Sequence, residues 1–431
     1  MKAVVLGLGA SGVAAARLLV QQGWDVTGVD LREHLAPIAG VTMELGPHRR
    51  ETFLAADRIV VSPGVPSTQP DIVAAEAAGI PVWSEVALAV DHLGDVPIVG
   101  ITGTNGKSTV THFTGQLLGR EHATFVGGNL GTPLSAAVDT PYAIYVLELS
   151  SYQLERPGSL RPRAGVILNL TPDHLARHGD MRGYAAAKAR MFDNLGPGDL
   201  ALVPHDDALL REAVRDKPGT HAWLGAEPGI VREGTVARIR LPGIDADIDL
   251  SGLTVPGEHN LDNAAVAAGL ALAMGASVQS VQDGIRDLTA LEHRMQPVPT
   301  SDGRRWIDDS KATNVASTLA ALKGRTVPTV LLLGGQSKGP GFAALAGNLG
   351  SVHTVICFGG DGPAIHAELA GVGVASTLVG SLGDAVELAR ERSVPGDDVL
   401  LSPGCASFDA FTDFAHRGRE FARMATTAQE T

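Results

Sequence analysis

The chain has almost nothing from which to make covalent cross-links: two cysteines, Cys357 and Cys405, in 431 residues. By themselves they cannot form a disulfide framework or a zinc cluster, so a reducing compartment is expected. Aromatic residues make up only 4%, and no continuous apolar run is long enough to span a bilayer. Positive charge is also in deficit. With 34 Lys and Arg against 47 Asp and Glu, the formal charge is −13, which argues against the basic face that nucleic acid requires. The apolar stretch from Lys2 to Ala16 could be taken for a secretory leader. It is interrupted by Gly7, Gly9 and Gly12, however, and runs into Arg17 without a processing site. The expectation is a soluble, cytoplasmic protein.

What is present is small and aliphatic. The chain is 44% hydrophobic with 52 Gly and 25 Pro. Rich in Ala and Val, this composition suits parallel sheets covered by Ala-rich helices. The length exceeds what one core usually organises. Three α/β blocks can be read, over residues 1–93, 94–297 and 298–431. The first holds strands at Ala3–Leu6, Asp25–Val29, Arg58–Val61 and Pro81–Trp83, and breaks near Gly94 and Pro97. The second holds buried strands at Ile98–Ile101, Ala143–Leu149 and Gly165–Leu168. An antiparallel or irregular insertion over Pro204–Pro256 and a helix over Leu261–Met274 follow. The third alternates strands at Trp306–Asp308, Val327–Leu333, Thr354–Phe358 and Val399–Leu401 with helices. The fold class is therefore α/β: a Rossmann-like N-terminal domain, a central P-loop-type ATPase domain and a Rossmann-like C-terminal domain.

Two glycine motifs carry the chemistry. Gly7-Leu8-Gly9-Ala10-Ser11-Gly12 fits G-x-G-x-x-G between a strand and a helix, with Asp30 ending the next strand. Such a turn brings a diphosphate to a helix N-terminus while the acidic residue reaches a ribose or base. Taken alone, it favours NAD over other diphosphates. The second motif, Gly103-Thr104-Asn105-Gly106-Lys107-Ser108-Thr109, is two residues tighter than Walker A. Its ingredients are nevertheless those of a triphosphate site: a buried strand, glycines that admit phosphate oxygens, a lysine, and a hydroxyl for Mg²⁺. A dehydrogenase has no use for the second motif, and a GTPase should show a guanine-reading motif that is missing here. Together the two motifs favour ATP-driven chemistry on a nucleotide-carried substrate.

Beyond these motifs the sequence resembles the Mur ligases along essentially its whole length. The landmarks appear in order: Gly7–Gly12, Gly103–Thr109, Gly128-Asn129, Leu147-Glu148-Leu149-Ser150-Ser151 and Thr171-Pro172-Asp173-His174. Then come Lys188 in an Ala-rich helix, His259-Asn260 with Asn263, His293-Arg294, Asp309-Ser310-Lys311-Ala312-Thr313-Asn314, Gly334-Gly335 with Lys338, and Ser402-Pro403 with Cys405-Ala406-Ser407. The Asp309–Asn314 run points to the branch that adds D-glutamate; the Asp-Asn-Pro-Arg motif of the branch adding diamino acids is missing. Departures are small. Asp308 stands where Asn is frequent, and Met295 where an aromatic is common.

The resemblance implies ATP-dependent ligation of D-glutamate to UDP-N-acetylmuramoyl-L-alanine through an acyl phosphate, a cytoplasmic step of peptidoglycan synthesis by a monomer. It implies two Mg²⁺ ions, held by Ser108, Glu148, His174 and Lys188. Glu148, at the end of an apolar strand, could instead be a solvated strand end. Lys188 could be an ordinary solvated lysine, but the resemblance makes it a carbamylated metal ligand. Lys107, Glu148, His174, Lys188 and Lys338 are the implied catalytic residues. Asn129, Asn263, Arg294 and Asp309 join the Gly103–Thr109 loop in binding ATP. Ser11, Asp30, Arg32, Ser62, Gly64, Asn129, Ser150, Gln153 and His174 are implied for the UDP substrate, which displaces the NAD reading. Lys311, Thr313, Lys338, Ser407 and Phe414 are implied for D-glutamate.

Overall fold

The structure, a computed structural model, describes residues 1–337 and 341–427, which form two compact units, Met1–Thr289 and Ala290–Thr431.

The first unit contains two sheets. Strands β1 (Lys2–Leu6), β2 (Asp25–Asp30), β3 (Val41–Leu45), β4 (Arg58–Val61) and β5 (Val82–Ser84) form a parallel sheet in the order β3-β2-β1-β4-β5. The order reverses between β1 and β4, so a crevice opens beyond their carboxyl ends, where open α/β sheets hold ligands. Gly7 follows β1 and Ser62 follows β4.

The second sheet of this unit has β6 (Ile98–Thr102), β7 (Thr124–Gly128), β8 (Ile144–Glu148), β9 (Ala164–Ile167), β10 (Leu200–Pro204), β11 (Thr220–Leu224), β12 (Gly229–Glu233), β13 (Val236–Leu241) and β14 (Ile244–Asp249). Their order is β14-β13-β12-β11-β10-β9-β6-β8-β7. Every residue of β6, β8 and β9 is buried, as a parallel strand covered on both faces requires. In β14 the burial alternates along Ile-Asp-Ala-Asp-Ile-Asp, the signature of a half-exposed edge strand. The expected insertion over Pro204–Pro256 is antiparallel only in its second half. Strands β10 and β11 extend the parallel sheet, and antiparallel pairing begins at β12–β13. The Ala-rich helix Glu258–Ala273 packs closely against the helix Lys107–Leu118, and its Ala264, Ala267, Ala268 and Ala271 are buried.

The second unit holds β15 (Gln296–Val298), β16 (Arg305–Asp308), β17 (Thr329–Gly334), β18 (Val352–Phe358), β19 (Thr377–Leu378) and β20 (Asp398–Leu401). Their order is β15-β16-β20-β17-β18-β19, parallel apart from β15. Its core is Trp306, Leu332, Ile356, Val399, Leu401 and Phe421 on one face, with Leu331, Leu333, Phe342, Cys357 and Leu400 on the other. Both cysteines are buried and unbridged. Among the described residues no helix is long and apolar enough to cross a membrane.

Candidate active site

The middle of the nine-stranded sheet gathers the predicted phosphate chemistry at one end. Strand β6 lies between β8 and β9, so their carboxyl ends put Gly103, Glu148 and Asn169 side by side. The loop after β6 turns at Gly103 (φ +147°) and Gly106 (φ +83°), backbone conformations that suit glycine. Little space remains around either residue: a Cβ on Gly103 would lie 3.0 Å from Leu168 Cβ, and one on Gly106 2.9 Å from Asn263 Oδ1. Asn263, expected to contact ATP, therefore lies directly against the loop. Lys107 opens the helix Lys107–Leu118 and folds back, its Nζ donating to Gly103 O (3.0 Å) and Thr104 O (2.7 Å). Ser108 and Thr109, which follow it in the first turn, are buried.

Glu148 ends β8 with only 2% exposure and accepts a 2.7 Å hydrogen bond from Asn129 Nδ2. The solvated-strand-end reading is thereby excluded. Lys188 is likewise not a surface lysine, being 1% exposed. Its Nζ donates to Gly103 O at 2.8 Å and lies 4.5 Å from the centre of the Tyr184 ring. Burial and the nearby Lys107 charge hold the Lys188 amine well below the ordinary lysine range, with Asp173 and Glu148 opposing the shift. A buried amine that sheds its proton is a nucleophile, the form that carbamylation needs. His174 adopts a left-handed conformation (φ 56°) at the head of the short helix Leu175–His178. Its Nδ1 meets Tyr152 Oη at 2.7 Å and its Nε2 lies 3.5 Å from Asp173 Oδ2. Ser150 and Gln153 are joined to each other, Gln153 Oε1 accepting from the Ser150 N–H and hydroxyl at 2.9 Å each.

Among the described residues no group of three or more His, Cys, Asp or Glu converges as a metal cage. The donors present still suit Mg²⁺, which binds through one or two carboxylates, substrate phosphates and water. Glu148 supplies a buried carboxylate and Ser108 a hydroxyl at the loop, and His174 and a carbamate on Lys188 would complete the set.

In the first sheet, the glycine turn is held by side chains from two neighbouring strand ends. Asp30 accepts from the Leu8 N–H (2.7 Å) and is gripped in a bidentate pair by Arg32. This contact to Arg32 pushes the Asp30 carboxyl far below the usual range. Ser62 donates to Gly7 O at 2.5 Å. Gly12 has no room for a side chain, because a Cβ would fall 1.9 Å from Gly7 O. Ser11 is partly buried and Gly64 exposed at the same end. A pocket beside them is lined by Ser62, Val65, Tyr152, Gln153 and Arg177, which brings Ser62 and Gln153 to one cavity.

In the second unit, Asp309 follows β16 and is buried. It accepts from Ser402 Oγ at 2.7 Å, and burial pushes its pKa up to about 6 despite the nearby Arg294. Among the described residues Arg294 Nε has no hydrogen-bond partner. Lys311 sits 4.2 Å from the centre of the Phe414 ring, and Ser407 is buried. Thr313 is partly buried beyond Lys311, whose carbonyl accepts from its N–H. Lys338 lies outside the described residues.

Sequence reasoning passed over Arg417. Fully buried, it donates to Ser310 Oγ and O, Cys405 O and Ala406 O, and so ties the Asp309–Asn314 run to the Ser402–Ser407 run. Burial lowers its pKa to about 10. In sequence it is one arginine among several on a polar helix, and only the tertiary fold separates it from them. Tyr152 and Tyr184 escaped notice because aromatic residues read as core.

Family comparisons match this arrangement block by block. Residues 1–84 match the Mur ligase MurD-like N-terminal domain, 101–271 the Mur ligase middle domain, and 293–405 the Mur ligase glutamate ligase domain. A UDP-N-acetylmuramoylalanine–D-glutamate ligase of Anaeromyxobacter dehalogenans is 43% identical over 99% of this chain and 97% of its own length. One from Myxococcus xanthus is 42% identical over 98% and 97%. The fold is shared with the UDP-N-acetylmuramate-alanine ligase MurC of Thermotoga maritima (TM-score 0.62, 19% identity, 98% of each chain). It is shared also with the MurF ligase of the same organism in complex with ADP (TM-score 0.60, 16% identity, 98% of this chain and 93% of that one). With three consecutive family domains and full-length relatives above 40% identity, the chain belongs to the Mur ligase family.

Proposed function

We propose that the chain is an ADP-forming ligase joining the amine of D-glutamate to the alanyl carboxylate of UDP-N-acetylmuramoyl-L-alanine, a cytoplasmic step of peptidoglycan synthesis carried out by a monomer. The observation that carries the chemistry is the meeting of Lys107, Lys188, Glu148 and the glycine loop at one strand end. The choice of D-glutamate is supported by the relatives' shared name over nearly the full chain.

A carboxylate resists attack by an amine because it is anionic and would have to expel oxide. In the proposed route a carboxylate oxygen attacks the γ-phosphorus of ATP, and the bond to ADP breaks. The amine nitrogen then attacks the acyl carbon, and the C–O bond breaks to release inorganic phosphate while the nitrogen loses a proton. Phosphoryl transfer is mostly positioning and charge neutralisation. Lys107 supplies charge at the loop, with Asn129, Asn263, Arg294 and Asp309 as further nucleotide contacts. Mg²⁺, held by Ser108, Glu148, His174 and carbamylated Lys188 as two ions, would neutralise phosphate charge. Ser11, Asp30, Arg32, Ser62, Gly64, Ser150 and Gln153 would hold the UDP substrate. Lys311, Thr313, Lys338, Ser407 and Phe414 would receive D-glutamate. We place the domain limits at 1–93, 94–297 and 298–431, with the UDP substrate, ATP and D-glutamate as their respective principal ligands.

The test is phosphate release and amide formation with Mg²⁺, ATP, UDP-N-acetylmuramoyl-L-alanine and a panel of amino acids. Turnover confined to D-glutamate is expected. Turnover with a different amino acid, or none with any, would overturn the assignment.

A further inference from the structure

Asn169, just past β9, makes three side-chain hydrogen bonds to the phosphate loop, and no role assigned above uses it. Its Oδ1 accepts from the backbone N–H of Thr104 (3.2 Å) and Asn105 (2.9 Å), while its Nδ2 donates to Asn105 O at 3.0 Å. Two acceptances and one donation fix which way the amide points. The Thr104 N–H also reaches Asn169 O at 3.1 Å. From the loop side, Thr104 Oγ1 accepts from the Thr171 N–H (3.1 Å) and donates to Thr171 O (3.2 Å). The loop is thus laced to the segment Asn169–Thr171, which runs on to Asp173 and His174.

Two loop N–H groups are therefore committed to a side chain. Anion binding falls to the N–H groups at the start of the helix Lys107–Leu118, which no helix can bond internally. We propose that Asn169 is a positioning residue: it sets the curvature of the Gly103–Lys107 loop and keeps the phosphate-facing groups in register with His174. Its uncharged amide is required because it lies beside the place where the loop meets an anion. The inference rests on the proposed function of the loop as the ATP site.

The experiment compares N169A, N169D and K107A in the full-length protein, reading affinity for a non-hydrolysable ATP analogue, KM for each substrate, and Tm. Aspartate keeps the acceptor for both N–H groups and, as an anion, strengthens those two bonds, at the cost of an oxygen facing Asn105 O, so on balance N169D should unfold at a higher temperature than N169A. For nucleotide the order should reverse. N169A should weaken analogue binding and raise KM for ATP about tenfold, the scale of one or two lost hydrogen bonds. N169D should weaken it further through charge, and KM for D-glutamate should hold. A purely architectural Asn169 gives the same order in both measurements, with N169D the milder, and that result overturns the proposal, as does wild-type nucleotide affinity in N169A. If N169A does not fold, N169S takes its place. K107A separates the two claims: normal binding and turnover there would refute the loop as the ATP site, whatever Asn169 does.

Discussion

The molecule contains two glycine loops of the same outline, each leaving a parallel strand and entering a helix, and they are stabilised by opposite means. Around Gly7–Gly12 the restraint is an anion: Asp30 accepts from the loop and is locked by Arg32. Around Gly103–Lys107 the restraints are neutral or cationic: the Asn169 amide, the Thr104 hydroxyl, and the amines of Lys107 and Lys188 on Gly103 O. A carboxylate bracing the second loop, with no cation to offset it, would repel a triphosphate; Glu148, the carboxylate nearby, is held by Asn129 and not by the loop. Beside the first, an acidic residue can face ribose hydroxyls or a base N–H. The comparison teaches that a glycine pattern specifies a turn, while the charge of whatever braces that turn indicates which ligand it can take.

The sharpest break in the comparison should come from Lys107→Ala, which is expected to lower kcat at least ~10²-fold, the scale for one lost preorganised charge donor. Steady-state phosphate release measures it, and near-normal turnover would remove Lys107 from the mechanism. Next is Lys188→Ala, expected to be inactive and partly rescued by a small added carboxylic acid. A companion, Lys188→Met, tests the cost of burial. A lysine whose folded pKa is depressed loses stability as pH falls from the unfolded value toward the folded one, and at neutral pH that loss is in force. K188M should therefore raise Tm while abolishing activity. A lower Tm would show that the amine stabilises the fold.

Smaller effects separate geometry from binding in the first loop. Gly12→Ala should destabilise the N-terminal sheet, because the new methyl group meets Gly7 O. Gly9→Ala has nothing within 4 Å of the new methyl group and should change stability by less than about 0.5 kcal/mol. Its effect should fall on KM for the UDP substrate, since the middle glycine is where a diphosphate approaches the backbone. Equal loss of stability in both variants would contradict the packing argument.

A last effect concerns pH. The Asp309 carboxyl has its folded pKa raised to about 6 by burial, from 3.8. Below both values the two states are equally protonated. As pH climbs through this window the unfolded chain ionises first, so stability declines and levels off above about pH 6. Thermal unfolding of D309N should lack this component of the decline, and an identical pH profile in the variant would count against it.

Much of this was readable in one dimension. Continuous β-branched runs announced β6, β8 and β9, because strands buried on both faces need no polar alternation. The loop Gly103–Thr109 announced itself because glycine, lysine and hydroxyl at that spacing have few other uses. Less legible were residues whose part depends on a neighbour far away in sequence. Taken locally Lys188 could be a solvated lysine, and nothing in the local pattern singles out Arg417 or Asn169. The extension of the parallel sheet by β10 and β11 was also hidden, since their partners are set by strand order and not by local pattern.

The sequence alone determined the periodicities, the two glycine turns and the family, because these depend on residue types at short fixed separations. Which amine is buried, which carboxylate is enclosed and which amide braces the loop were decided only by the tertiary structure. Burial and partner distance are properties of segments that meet in space, and they set whether a titratable group keeps its charge.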